Sequence, residues 1–438
     1  MSIDPLRSPA MAWGPASSFT AGLAFPRVAR VRQRVDSTSI ADPHGHVLDS
    51  VFRKLAHLDL SGKRIGVTVG SRGISHLTAI VRGVVDGLRA RGADPYIVPA
   101  MGSHGGATAE GQTEVMAGYG VTEASVGAPV RATMDVVEVG RTDREVPVYL
   151  DRHVWESDGV VVVNRVKAHT AFKASIESGL CKMLAVGLGK QRGAETMHRA
   201  GLARTIPEAA AVSLASGKVL LGVAIVENAA DLPMRIEVVG PDVFHETDRT
   251  MLVASNAVLP RIPFDHADVL VLDWIGKDLS GSGMDPNVIG MWRRLGGERL
   301  PDYRRIVVRD VTDESRGNAI GIGWADVTTA HLVGRIDYAA MYMNCLTANA
   351  PDVARVPMTM PTDREAIGIA IRTSGGAASP DAVRLVRAHS TLRLDEMLVS
   401  EALLPEARAN ERLEVIGDPE AMRFDDAGTL LGTVSTQH

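Results

Sequence analysis

The sequence predicts an α/β protein of two domains, with mainly parallel sheets flanked by helices and the active site in the interdomain cleft. Three observations carry that prediction. Short β-branched runs alternate with stretches of helical periodicity, which is the signature of parallel strands covered by helices. The alternation recurs with new material in both halves. At 438 residues, the chain exceeds what one ordinary hydrophobic core organises.

Residues 1–20, rich in Pro, Ser, Ala and Gly, read as an N-terminal arm. From residue 63, RIGVTVG predicts a strand, and SHLTAIVRGVVDGLRARGA places apolar residues at helical spacing before a stop at Gly92. PYIVPA predicts the next strand, MGSHGGATAEG a glycine-rich turn, and AEGQTEVMAGYG a short helix. GVVVVNRV and VLLGVAIVEN read as strands buried on both faces. ETDRTMLVASNAVL predicts a helix, and RIPF at 261–264 marks the boundary between an N-terminal catalytic and cofactor domain over 21–262 and a C-terminal α/β domain over 263–438. Beyond it, ADVLVLDWIG and RIVVRDVT predict strands and DREAIGIAIRTSG a helix.

Composition narrows the function classes. A net charge of -5 with both signs dispersed argues against nucleic-acid binding and against a polybasic membrane surface, and points to a small-molecule partner. Two cysteines, Cys181 and Cys345, make no disulfide framework and suit a reducing, cytoplasmic location; Cys181 reads as a small buried core residue. No stretch is apolar for long enough to span a bilayer, and no signal peptide is expected.

Four stretches could carry chemistry. VGSRGISH at 69–76 lies where a strand ends and a helix opens; its N–H groups favour an anion and Arg72 could grip a phosphate or carboxylate, although a plain turn has the same appearance. MGSHGGATAEGQ at 101–112 places His104 at a strand end, with an imidazole suited to moving protons near neutral pH. RVKAHTAF places Lys167 and His169 at another strand end, followed by ESGLCKM with Ser178, Gly179 and Lys182, and then by His198. Three histidines and a lysine facing one cleft would suit a metal or a covalently held cofactor, with the metal's identity open. In the second half, DWIGKDLSGSGMDPNVIG offers Lys277, Asp285 and Asn287 as an opposite wall, with Arg293 close behind.

Taken in order, GSRGI, MGSHGGAT, KAHT, SGLCK and TMH resemble the nickel-dependent lactate racemase family and its wider group of 2-hydroxyacid racemases and epimerases. The resemblance implies an isomerase that inverts C2 of a 2-hydroxyacid by hydride transfer to and from a nickel-pincer nucleotide. That cofactor is pyridinium-3-thioamide-5-thiocarboxylic acid mononucleotide, attached here to Lys182, with His198 as nickel ligand. His104 and His169 would be the two acid/base residues and Arg72 the holder of an acid group. Ser71, Arg72, Ser178 and Gly179 would line the cofactor, and Lys277, Arg293, Asp285 and Asn287 would stand near substrate. The implied partners are a small anionic hydroxyacid and the enzymes of cofactor biosynthesis; a homodimer is admissible. The family's S-G-G-x-K pattern has Leu180 at its second glycine, and the interval from His169 to Lys182 is longer by about three residues. These departures imply an altered substrate pocket. Two further readings are a histidine-ligated metal enzyme acting as hydrolase or lyase, and a two-lobed protein that binds an anion without turnover.

Overall fold

The computed structural model describes residues 18–375 and 379–434. The arm expected over 1–20 therefore lies outside the described residues except for its last three. The chain divides into two compact units, one of Asp36–Leu259 and one joining Met1–Val35 to Pro260–His438.

The first strand, β1 (Arg27–Gln33), belongs to the second of these units. The unit Asp36–Leu259 then opens with helix α1 (Pro43–Lys54), strand β2 (Arg64–Val69), helix α2 (Leu77–Arg89) and strand β3 (Asp94–Pro99). Helix α3 (Ala109–Gly118) is followed by the antiparallel pair β4 (Val136–Arg141) and β5 (Pro147–Asp151), then by β6 (Gly159–Arg165). A helical turn α4 (Leu180–Lys182) runs into the π-helical turn Met183–Gly187, and helices α5 (Lys190–Ala200) and α6 (Leu202–Ala215) come next. Strands β7 (Val219–Glu227) and β8 (Pro233–Val239) and helix α7 (Phe244–Val258) complete the unit.

Its five-stranded sheet has the order β3-β2-β6-β7-β8, parallel except for β8. Successive residues of each strand enter opposite cores, as period 2 requires. Val161 and Val163 pack on the same side as α1 and α2, while Val160 and Val162 pack against the helices after β6. The run GVVVVNRV is thus buried on both faces, as its lack of polar alternation suggested. Helices α1 and α2 approach closely because Gly83 and Gly87 have no side chain; a Cβ on Gly83 would stand 2.6 Å from the His44 carbonyl oxygen.

The topology positions the site. From β2 the chain moves to one side to make β3, then returns to the other side of β2 to make β6. The order reverses between β2 and β6, and in parallel α/β sheets the loops at the carboxyl ends of strands flanking such a reversal diverge to leave a binding crevice.

The second unit contains an eight-stranded sheet. Strands β9 (His266–Ile275), β10 (Asp302–Val311), β11 (Val327–Thr329), β12 (Met358–Met360) and β13 (Leu385–Ala388) form its parallel part. Strands β14 (Glu396–Ser400), β1 and β15 (Leu413–Ala421) form an antiparallel extension, in the order β12-β11-β10-β9-β13-β14-β1-β15. Helix α8 (Asp363–Thr373) covers one face, as DREAIGIAIRTSG predicts.

This arrangement corrects the continuous domain expected over 21–262. Strand β1 pairs with β14 and β15, Val31 is buried in that unit's core, and Arg30 and Arg32 form ion pairs with Glu396 at 2.8 and 3.1 Å. The described residues up to Val35 therefore belong with the unit that resumes at Pro260. Among the described residues, no helix is long and apolar enough to cross a membrane.

Candidate active site

The loops that leave β2, β3 and β6 at their carboxyl ends carry Ser71 and Arg72, His104, and Lys167 and His169 respectively. The first two are joined directly: the Ser71 hydroxyl lies 2.9 Å from His104 Nδ1. The same nitrogen stands 2.8 Å from the Met101 carbonyl oxygen. A carbonyl only accepts, so in the neutral ring Nδ1 carries the hydrogen and Nε2 is the proton-accepting nitrogen. Tyr119 steadies this corner by donating its hydroxyl to the Ser71 carbonyl at 3.0 Å.

His169 has the opposite bias. The Ala171 backbone N–H donates to its Nδ1 at 3.0 Å, which leaves the hydrogen of the neutral ring on Nε2. Phe172 stacks on the imidazole with ring centroids 4.5 Å apart. Buried Glu177 closes the loop by accepting the backbone N–H of His169 at 2.6 Å and of Ala174 at 3.1 Å. The long interval between His169 and Lys182 is this loop, pinned at its base where Lys167 and Ser178 exchange backbone hydrogen bonds of 3.0 and 3.3 Å.

The turn carrying Lys182 is fixed from beneath. Buried Asp248, on α7, accepts the backbone N–H groups of Leu180 and Cys181, each at 2.8 Å, and Asn164 donates to the Gly179 carbonyl at 2.8 Å. Gly179 is required here, because a Cβ would come within 2.3 Å of the Asp248 carboxylate. Asp248→Asn keeps the shape but sets an N–H against a backbone N–H. The expected result is a loss of about 1–3 kcal/mol in chemical denaturation.

Electrostatics distinguish this corner from an ordinary surface. Burial, with added repulsion from Arg72 and Lys167, lowers the Lys182 ammonium from its usual value to about 7. Burial, then the Lys182 charge, pushes His198 on α5 below its usual value and favours the neutral ring. Arg72 keeps solvent contact, yet the surrounding protein lowers its pKa too. Neighbouring Arg165 is paired with Glu227. Three cations thus surround the end of β6 with no carboxylate in ion-pair contact with Arg72 or Lys182 among the described residues, a setting that favours an anionic guest. Cys181 is buried, and burial raises its thiol pKa; it is part of the core, as its sequence context suggested.

Residues 53–209, from α1 into α6, match the sequence model of the lactate racemase N-terminal domain. The similarity is to that domain, over this segment of the chain. The matched segment includes all the strand-end loops just described. None of the curated proteins matches the sequence. Among solved structures, the lactate racemase apoprotein from Thermoanaerobacterium thermosaccharolyticum aligns at 12% identity with a TM-score of 0.42, covering 64% of this chain and 74% of its own. A protein from Thermotoga maritima aligns at 13% identity with a TM-score of 0.49, covering 81% of this chain and 98% of its own.

The departure from the motif at Leu180 places its side chain in the core. Leu180 is fully buried and packs toward Gly222 and Phe244, so the altered pocket expected from it is corrected: the side chain fills core space below the sheet's carboxyl edge. Among the described residues, no group of three His, Cys, Asp or Glu side chains is disposed to hold a metal ion, so His104, His169 and His198 do not form a three-imidazole metal site.

The candidate substrate residues of the second unit are placed differently from expectation. Arg293 is nearly buried, paired with Asp326 at 3.0 Å and donating to the carbonyl oxygens of Trp324 and Tyr303 at 2.9 and 2.6 Å. It is a structural brace, which corrects its assignment to substrate. Arg293→Met is expected to cost about 1–3 kcal/mol in denaturation and to leave KM unchanged. Lys277 donates to the Gly281 carbonyl at 2.8 Å and to Asn344 Oδ1 at 3.1 Å, bracing its own loop. Asp285 caps the turn Pro286–Ile289 and accepts from both the backbone and the side chain of Asn287 at 2.8 Å. The positioning residues Asp248, Glu177 and Asn164 escaped sequence reasoning. Only Asn164, at the end of a strand motif, had a local signal.

Proposed function

We propose that this protein is a racemase or epimerase that inverts C2 of a 2-hydroxyacid with a nickel-pincer nucleotide held on Lys182. One observation supports this reading above the others. The loops of β2, β3 and β6 bring a histidine, an arginine and a lysine shifted to about 7 to the reversal point of a parallel sheet.

The residues fit the implied cofactor. A lysine near 7 has a substantial fraction of neutral amine at neutral pH and can be acylated. A histidine biased to the neutral ring can donate a lone pair to nickel. Arg72 and Lys167 supply positive charge for a phosphate or carboxylate. When bound, the cofactor supplies a reversible acceptor for the C2 hydride.

The protein's own part is binding and proton transfer. Arg72 holds an acid group. His104 Nε2 accepts the proton of the substrate hydroxyl as C2 gives up its hydride, while His169 presents an Nε2–H to substrate oxygen from the other loop. Inversion needs the reverse proton transfer when hydride returns to the opposite face, and a positioned group must lie within about 3 Å of the proton it moves. The His104 and His169 loops supply two such positions. For His169 to take a proton, its Nδ1 contact with the Ala171 N–H must loosen.

Protein produced together with the cofactor-biosynthesis enzymes is the material for the test. Candidate 2-hydroxyacids carrying deuterium at C2 would be incubated with it and separated on a chiral phase. Inversion with retention of most of the deuterium is expected. Inversion with washout to solvent would overturn hydride transfer, and no inversion of any acid would overturn the reading.

A further inference from the structure

The stretch that supplies Lys182 also supplies Lys190, which none of the chemistry above uses. Lys190 is completely buried and adopts a left-handed backbone conformation, φ 53°, at the start of α5, a costly setting for a residue with a side chain. Its Nζ pairs with the equally buried Asp151 at 3.0 Å. Buried ion pairs of this kind add little net stability, and apolar replacements of both partners are often as stable. The arrangement therefore calls for a role besides stability.

The rest of the lysine's contacts suggest one. Nζ donates to the Pro99 carbonyl, at the end of β3, and to Gln112 Oε1 at 3.3 Å. An ammonium has no acceptor, so Gln112 must turn its oxygen toward Lys190 and its amide hydrogens away. Those hydrogens go to the carbonyl oxygens of Gly102 at 2.9 Å and of His104 itself at 3.2 Å. Gln112 is fully buried, so no water replaces these bonds cheaply. The Gly102 N–H in turn donates to the Gly187 carbonyl at 3.1 Å, in the π-helical turn that continues from Lys182. One chain of contacts thus runs from Asp151 through an ion pair to Lys190, then through hydrogen bonds to Gln112 and the backbone on both sides of residue 103, and from there to the Lys182 segment.

We propose that Lys190 and Gln112 are positioning residues that set the His104 imidazole relative to Lys182, with the lysine's charge fixing which way the Gln112 amide faces. In its catalytic consequence the proposal rests on the reaction proposed above; in its structural consequence it stands alone.

Gln112→Glu tests it in the full-length protein. The carboxylate keeps an acceptor for Lys190 but, ionised, has no hydrogen for the Gly102 and His104 carbonyls, so the loop is repelled, and it adds a second carboxylate beside the one ammonium. Lys190→Met/Asp151→Leu removes both buried charges together and guards against a variant that simply fails to fold. In both variants, amide hydrogen exchange over residues 100–108 is expected to accelerate at least about tenfold relative to the rest of the unit. The imidazole 15N resonances of His104 in histidine-labelled protein should move away from the Nδ1–H pattern. In cofactor-loaded enzyme, kcat should fall about ten- to a hundredfold, because ångström-scale misplacement has that effect, with KM within about twofold. Unchanged exchange and unchanged His104 resonances in folded variants would overturn the proposal, as would a loosened loop with full kcat in active enzyme. If wild-type protein turns over no 2-hydroxyacid, the reaction reading fails, and the exchange and resonance measurements still decide the positioning role.

Discussion

Lys182→Ala is expected to abolish turnover completely while leaving the protein folded. The side chain forms no ion pair among the described residues, so its removal strands no carboxylate, and its turn is held by Asp248 and Asn164 through backbone atoms that the substitution does not touch. What disappears is the amine. Mass spectrometry of the peptide containing residue 182 should show an adduct in wild-type protein made with the cofactor-biosynthesis enzymes and none in the variant. An unmodified lysine in fully active wild-type enzyme would refute the attachment. The same amine can be checked without the cofactor. With a pKa of about 7 it is largely neutral at pH 8, whereas an ordinary lysine near 10.4 is then almost wholly protonated. A mild acylating reagent at that pH should label Lys182 ahead of the exposed lysines.

The depressed pKa also has a thermodynamic consequence. Between about 7 and the ordinary lysine value of 10.5 the unfolded chain binds a proton at residue 182 that the folded chain lacks, so this residue makes folding stability rise with pH across that window. Below the folded value both states are protonated and the cost of burying the charge is felt in full. Denaturation of cofactor-free protein at pH 7 and pH 9 should therefore show a pH-dependent gain in the wild type that is smaller in Lys182→Ala. Equal gains would mean that the amine is not desolvated as the geometry requires.

The residues that could be read from the sequence are those whose signal is local. Strand β6 is a run of four valines, and β9 and β10 are runs of the same kind; a strand buried on both faces has no other way to be written. His104, His169 and Arg72 stand immediately after such strands, so a reader who places the strands has placed the loops. Strand β1 is different. RVARVRQ carries three arginines, two of which pair with Glu396, more than 360 residues away, and its partners β14 and β15 lie at the far end of the chain. Without that pairing in view, the segment joins its sequence neighbours, which is why the domain limit fell in the wrong place. Asp248 and Lys190 were hidden for the same reason. Asp248 meets the Lys182 turn across 68 residues, and Lys190 reaches Gln112 across 78, so neither contact leaves a periodic or motif-like trace. Leu180 shows the converse error: a departure inside a motif was assigned to the pocket, whereas the residue one step from Gly179 points into the core.

His104→Ala and His169→Ala should each reduce turnover about a hundredfold to ten-thousandfold, the usual worth of a positioned acid or base. The two losses test different things. His104 offers an accepting Nε2 because the Met101 carbonyl holds the hydrogen on Nδ1, so His104→Gln, whose amide cannot take a proton, should be as damaging as alanine. His169 offers an Nε2–H because the Ala171 N–H occupies Nδ1, so His169→Gln, which retains an N–H donor of similar reach, should recover part of what alanine loses. Where the product is the substrate's mirror image, the two have equal free energy, and kcat/KM must fall by the same factor in both directions whichever histidine is changed. Initial rates measured from each enantiomer will check this. Unequal kcat/KM values for the two isomers, falling by equal factors in each variant, would show that the acid carries a second stereocentre and that the enzyme is an epimerase. Full activity in both alanine variants would remove the two loops from the proton transfers, and with them the assignment of these histidines.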